Sequence, residues 1–250
     1  MDLQGKTALI TGAARVGSAV AEALAERGCR VALSYRSSRS TAEKTTRAVL
    51  ARGGEAMIVR ADVTRETDAR RLVDAVRRRW GRLDVLVNMA SLYERTPLAS
   101  LRRPGAASRA LRRSLSVDLE SAHRLAHLAA PLMEKTGAGR IVNFSDWVAA
   151  SGRPRYQGYG PYYIAKAAVK GLTETLALEL APRILVNAIA PGPILAPVGL
   201  SRAAHREVIE ATPLRRWGGA AEVAKAVLFL VETDFVTGET LRVDGGRHLS

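Results

Sequence analysis

A chain of 250 residues with 47% hydrophobic content can bury one large core and fits a single α/β domain. It holds no apolar run of the ~18 residues that span a membrane, its first residues lack the basic-then-apolar layout of a signal peptide, and a lone Cys29 forms no internal disulfide. A soluble cytoplasmic protein is therefore expected, with Cys29 as a small buried side chain. The formal charge of +14 comes mainly from arginine, as in Arg77-Arg78-Arg79 and across Arg102, Arg103, Arg109, Arg112 and Arg113. These arginines alternate with Leu, Val and Ala as solvated helix faces do. Without zinc-ligand spacing, RNA-binding aromatics or a basic tail, nucleic acid is not an expected partner.

The first apolar run, Ala8-Leu9-Ile10, leads into Thr11-Gly12-Ala13-Ala14-Arg15-Val16-Gly17, and a helix is predicted from about Ser18. Glycines between a first strand and a first helix let the backbone approach a pyrophosphate, whose charge the helix N-terminus favours. The second strand, Val31-Ala32-Leu33, continues as Ser34-Tyr35-Arg36-Ser37-Ser38, and no Asp or Glu occurs between Arg27 and Ala42. A carboxylate there would hold ribose hydroxyls and repel a 2′-phosphate. Arg36 with neighbouring hydroxyls would bind that phosphate, so Tyr35, Arg36 and Ser37 predict NADP(H) as cofactor.

A helix over 42–51 precedes a strand at Ala56-Met57-Ile58-Val59. Asp62, next to Val63, follows as an acceptor for the adenine amino group or as a helix cap. A helix over 67–80 and a strand at Val85-Leu86-Val87 lead to Asn88-Met89-Ala90-Ser91. Further strands are predicted at Ile141-Val142-Asn143 and Ile184-Leu185-Val186-Asn187. Alternating strands and helices without a linker or repeat mean one doubly wound parallel sheet. Pro191 to His205 is the least regular stretch, and a mobile substrate lid is expected there.

Tyr162 and Lys166 are four residues apart, on one face of a helix, where the ammonium can stabilise a phenolate and bring proton exchange towards neutral pH. Tyr159 and Tyr163 have no lysine at that spacing. The glycine loop, Asn88 to Ser91, Tyr162 with Lys166, Val186 to Gly192 and Val243-Asp244-Gly245-Gly246 together resemble the short-chain dehydrogenase/reductase family over essentially the whole chain. The resemblance implies a Rossmann-type fold, Tyr162 as proton donor, Lys166 as its tuner and ribose ligand, and cofactor contacts from Gly12, Arg15, Val16, Gly17, Val63, Asn88, Ala90, Pro191 and Gly192. It also implies a homotetramer, with helices around residues 101–134 and 162–180 as interfaces.

Asp146 stands where that family carries its catalytic serine, and Ser145 points to the opposite face of its strand. With Arg15 in the glycine loop and Tyr93 in Ser91 to Leu98, it resembles the pteridine reductase branch. On that resemblance Arg15, Ser91, Tyr93, Asp146 and Tyr162 are candidate substrate ligands. Tyr93 would sandwich a flat heterocycle, and Asp146 would bind an amino-pyrimidine or relay a proton. The glycine loop is short for the family, Asp118 replaces its usual asparagine and can pair with Lys166, and the segment from Trp147 to Gly160 is long and carries Arg153 and Arg155. The expected activity is NADPH-dependent reduction of a small pterin-like substrate. The alternatives are a carbonyl or 3-oxoacyl reductase, for which the missing serine is adverse, and a non-catalytic NADP-binding regulator.

Overall fold

Seven strands form one wholly parallel sheet in the order β3-β2-β1-β4-β5-β6-β7 in the computed structural model, which describes all 250 residues. The strands are β1 (Thr7–Thr11), β2 (Arg30–Tyr35), β3 (Ala56–Arg60), β4 (Val85–Asn88), β5 (Gly139–Phe144), β6 (Ile184–Pro191) and β7 (Thr240–Val243). Parallel neighbours need crossovers, supplied by α1 (Val16–Glu26), α2 (Arg39–Ala51), α3 (Glu66–Trp80), α4 (Leu98–Leu101), α5 (Ala106–Leu115), α6 (Ser121–Lys135), α7 (Trp147–Ala150), α8 (Gly160–Leu180), α9 (Arg202–Glu210) and α10 (Ala220–Glu232).

Successive strand residues face opposite layers, so the sheet carries two cores. Ile10, Val31, Leu33, Val87 and Ile189 pack with Val20, Leu24, Val227 and Leu230 of α1 and α10. Leu9, Ala32, Leu86, Ile141 and Val186 pack with Leu72, Val76, Leu125 and Leu176 of α3, α6 and α8. Cys29 lies in the first core, where burial pushes its thiol up to about 12 and leaves it inert at neutral pH. In α3, Glu66 and Asp68 sit in the first turn and Arg77, Arg78 and Arg79 in the last, each sign opposing the helix dipole. Those three arginines are exposed, as predicted for a solvated face.

Six strands lie where the apolar runs predict them, and α1 starts at Val16, slightly before Ser18. The seventh was missed because Thr240–Val243 is short and partly exposed, with Arg242 in its middle. Residues 101–134 are not one helix. Gly105 at φ +71° starts α5, and a π-helical stretch, Ser116–Glu120, separates α5 from α6. Leu125, Leu132 and Leu176 are spent in this chain's own core, whereas Leu119, Leu128, Ala168 and Leu172 line a surface groove. The stretch from Pro191 begins inside β6, is irregular to Ser201, and enters α9 with the Ser201 hydroxyl accepting the Ala204 amide at 3.2 Å. No helix is long and apolar enough to cross a membrane.

Candidate active site

β1 is hydrogen-bonded to β2 on one side and β4 on the other, so the chain reverses its direction of winding there and opens a crevice at the strands' carboxyl ends. A cleft of about 280 Å³ occupies it, lined by Gly12, Tyr35, Arg36, Ser37, Asp62, Val63, Ala90 and Ser91 from the sequence prediction, with Ser38, Thr64, Met89 and Leu92 in addition. Gly12 has φ +87°, and a Cβ there would press on the Met89 and Ala90 backbones at 3.3 Å. A Cβ on Gly17 would meet the Gly12 carbonyl oxygen at 2.1 Å, so the short loop folds back on its own helix only because both are glycine. This backbone cradle, with Arg36 and hydroxyls at one end and no acidic residue on β2, fits a dinucleotide.

Other predicted cofactor residues make contacts within the protein around this cleft. Arg15, at φ +54°, points across to the segment after β6, where its Nη2 donates to the Ala196 carbonyl at 2.8 Å. Val16 and Gly17 build the first turn of α1 beneath the loop. Asn88 is buried, and its Nδ2 donates to Asn143 Oδ1 at 2.9 Å, tying β4 to β5. Pro191 ends β6, and the Gly192 amide donates to the Val243 carbonyl at 3.0 Å. Asp62 does not cap α3, whose N-cap position is Arg65. Instead its Oδ1 accepts the Thr64 hydroxyl at 2.7 Å and the Thr64 amide at 3.1 Å, and the hydroxyl bond is the main cause holding its carboxyl below the usual range.

Asp146 leaves β5 in extended conformation and caps α7, its Oδ1 accepting the Val148 amide at 2.8 Å. Its Oδ2 faces Tyr162 Oη at 2.9 Å, the hydroxyl donating. Ser145 points away, its hydroxyl donating to the Lys166 carbonyl at 2.9 Å. One turn of α8 beyond Tyr162, Lys166 Nζ donates to the Phe144 carbonyl at 2.7 Å and pairs with Asp118 Oδ1 at 2.8 Å, both side chains being buried. Asp118 reaches it from the π-helical stretch, an irregularity often found at functional sites.

The charge balance differs from the sequence expectation. Burial is the largest cause raising the Asp146 carboxyl above its ordinary value. Tyr162 is raised well above ordinary tyrosine, first by burial, then by the charge and hydrogen bond of Asp146, then by Asp118. The Lys166 ammonium lies 5.8 Å from the Tyr162 ring centroid and is paired with Asp118, and burial and the two carboxylates set the direction in which the phenol is shifted. The group holds a neutral phenol ready to donate a proton.

A second cavity, of about 270 Å³, opens beside Asp146 and Tyr162, with Val148, Pro154, Tyr156 and Tyr159 among its walls. Tyr93 stacks on Tyr159 with centroids 4.7 Å apart and meets the Tyr162 ring edge-on at 5.0 Å. Tyr156 meets Tyr159 at 6.2 Å and Trp147 at 6.0 Å, and Trp147 is approached by the guanidiniums of Arg155 and Arg247, each 5.7 Å from its ring centroid. Sequence reasoning treated Tyr159 only as a rival to Tyr162. Its place at the N-cap of α8, three residues before Tyr162, was the signal that it lines the same site.

A dinucleotide cleft at the point where the winding reverses, next to a buried tyrosine and lysine on one helix, defines a nicotinamide-dependent oxidoreductase. The family profile described as enoyl-(acyl carrier protein) reductase matches residues 12–248. The chain is 37% identical to a protein of Streptomyces violaceoruber named as ketoacyl reductase 2 of the granaticin polyketide synthase, over 98% of this chain and 97% of the relative. It is 33% identical to the 3-oxoacyl-acyl-carrier-protein reductase FabG of Staphylococcus epidermidis, over 98% and 99% of the two chains. Among solved structures, a 7α-hydroxysteroid dehydrogenase complexed with NADH and 7-oxo glycochenodeoxycholic acid superposes with a TM-score of 0.88 at 32% identity, covering 98% of this chain and 94% of the other. The chain belongs to the short-chain dehydrogenase/reductase family and is an oxidoreductase of that type, using NAD(P)H.

Proposed function

We propose that the protein is an NADPH-dependent carbonyl reductase. The observation that carries this reading is the buried Tyr162 hydroxyl held by Asp146 at the wall of a largely apolar cavity, in a chain whose relatives are named for ketoacyl and hydroxysteroid chemistry. Those names favour the carbonyl alternative over the pterin reading. The absent serine is less adverse than the sequence suggests. Asp146 Oδ1 is engaged as acceptor by the Val148 amide and Oδ2 accepts the Tyr162 hydroxyl, so once that hydroxyl turns to a substrate carbonyl, Oδ2 is the oxygen left to carry a proton and donate it to Tyr162. A protonated carboxyl is an O–H donor, as a serine hydroxyl is.

When bound, the nicotinamide supplies a hydride to the carbonyl carbon. Tyr162 donates its proton to the carbonyl oxygen, and Asp146 returns a proton to Tyr162, so that ketone, NADPH and one proton become alcohol and NADP⁺. Lys166, which donates one N–H to the Phe144 carbonyl and is ion-paired with Asp118, keeps N–H capacity for a ribose hydroxyl. Tyr35, Arg36, Ser37 and Ser38 make the end of the cleft that favours a 2′-phosphate.

Purified protein offered NADPH with open-chain 3-oxo esters, ring ketones and dihydropterins is expected to reduce ketones at least about tenfold more efficiently than dihydropterins; the reverse order would remove this reading. The pH profile carries its own sign. Burial raises the Asp146 pKa, so the carboxyl keeps its proton to a higher pH than usual, and kcat/KM falls as pH rises through that raised pKa. Asp146→Ser should retain ketone reduction and lose this limb, since serine does not titrate; an unchanged profile would mean that Asp146 supplies no proton.

Arg36→Ala is expected to weaken NADPH binding by about 10- to 100-fold, the worth of a charge-assisted phosphate contact, with little effect on NADH. Fluorescence titration of both cofactors reads this directly, and equal losses for the two would show that Arg36 does not contact the phosphate. A homotetramer built through the exposed faces of α6 and α8 belongs to the same proposal; a monomer in sedimentation would remove it.

A further inference from the structure

The carbonyl reading leaves open whether the substrate is an open acyl chain or a ring, and the rings around Tyr162 bear on that choice. From Trp147 through Tyr156 and Tyr159 to Tyr93, each aromatic ring touches the next, and Tyr93 ends the series against Tyr162. Two independent ties fix this wall. The Thr96 amide donates to the Gly158 carbonyl at 2.6 Å, joining the segment that carries Tyr93 to the one that carries Tyr156 and Tyr159, and the guanidiniums of Arg155 and Arg247 brace Trp147. Tyr93 is 55% exposed and Tyr156 43% exposed, so both present ring surface that this chain does not cover.

We propose that the aromatic wall selects a planar ring ketone, in which the carbonyl is fused to or conjugated with an aromatic ring system, over a flexible 3-oxoacyl chain. This rests on the carbonyl-reductase reading. A flat ring gains offset or edge-on contact with several fixed tyrosines at once, and it carries no rotors to freeze. An open chain finds only hydrocarbon contact there and loses conformational freedom on entering. The same wall disfavours a pterin. The polar side chains of the cavity are tyrosine hydroxyls and the Asp146 carboxyl, one of whose oxygens is already engaged by Val148. These are few for the ring nitrogens and amino group of a pterin, and each group left unpaired opposes binding.

The test uses the full-length protein with NADPH, 1-tetralone as the planar ring ketone and ethyl 3-oxohexanoate as the open chain, in wild type, Tyr93→Phe and Tyr93→Leu. The wild type is expected to favour 1-tetralone by roughly tenfold or more in kcat/KM, the size expected from two aromatic contacts. Tyr93→Phe keeps the ring and should keep the preference. Tyr93→Leu should lower the ring-to-chain ratio by roughly tenfold, through a higher KM for the ring ketone.

Calorimetric titration of the NADP⁺ complex with 2-naphthol, a planar alcohol that mimics the product, should show the same order. Its Kd should be raised by Tyr93→Leu and held near wild type by Tyr93→Phe. A wild type that reduces the open chain as well as the ring ketone, or a ratio and a Kd that Tyr93→Leu leaves alone, would overturn the proposal while the carbonyl-reductase reading stands. A wild type that reduces neither compound would overturn both.

Discussion

Tyr162→Phe is expected to lower kcat by about 10²- to 10⁴-fold, the usual worth of a positioned general acid, while NADPH binding stays within a factor of about three. The substitution removes one oxygen and little else. The ring remains in edge-on contact with Tyr93, and the cofactor cleft is lined by other residues. What disappears is the hydroxyl that donates to Asp146 Oδ2 at 2.9 Å. Asp146 keeps its bond from the Val148 amide, so the carboxyl retains a partner and the fold should survive. Single-turnover rates, cofactor titration and near-UV circular dichroism on the same preparation separate loss of the proton donor from loss of structure. A variant retaining more than about a tenth of wild-type kcat would mean that another group, Tyr159 or Asp146 itself, protonates the product. A wild type that binds NADPH and turns over no substrate in any panel would instead support a regulator.

The second large effect concerns stability. Asp118→Ala should destabilise the protein by about 3–5 kcal/mol, because it leaves Lys166 as an uncompensated charge in a site from which water is excluded. The two side chains are 3% and 0% exposed, and besides Asp118 the Lys166 ammonium meets only the Phe144 carbonyl and the Tyr162 ring, 5.8 Å from its centroid. The double variant Asp118→Leu with Lys166→Met should recover much of that loss while remaining inactive, since removing both charges leaves nothing unpaired. Denaturant unfolding of the two singles and the double gives the coupling directly, and a loss below about 1 kcal/mol in Asp118→Ala would show that Lys166 reaches water. Asp118→Asn restores the residue usual in the family. Because the charge of Asp118 helps to hold the Tyr162 phenol above its ordinary range, the neutral amide should lower that pKa and move the alkaline limb of kcat to lower pH.

Most of the sheet was legible because its signals are local. A short β-branched run bounded by helical periodicity says strand wherever it occurs, and Gly12 between β1 and α1 says phosphate cradle without reference to any distant residue. Two departures turn on contacts made elsewhere in the chain, and a third on a local competition. β7 pairs along one edge and is partly exposed, so Thr240–Val243 carries no apolar run. Arg15 is in a loop whose sequence suits a phosphate ligand, yet its guanidinium meets a carbonyl from the segment after β6, a contact that depends on how two loops meet across the crevice. Asp62 is satisfied within two residues by Thr64, a local turn that competes with capping.

The catalytic group divides in the same way. Tyr162 and Lys166 are four residues apart on one helix, so the sequence alone determined that they share a face, just as strand and helix periodicity determined the parallel doubly wound fold. Only the tertiary structure decided what that face meets: Asp146 from the end of β5, Asp118 from a π-helical stretch, and Tyr93 from the segment after β4. Those crossovers set the electrostatics of the site, since a carboxylate raises a buried phenol only when the fold brings it within a few ångströms. Helical spacing is written in the chain, whereas the distance between residues on different elements arises only when the two cores pack.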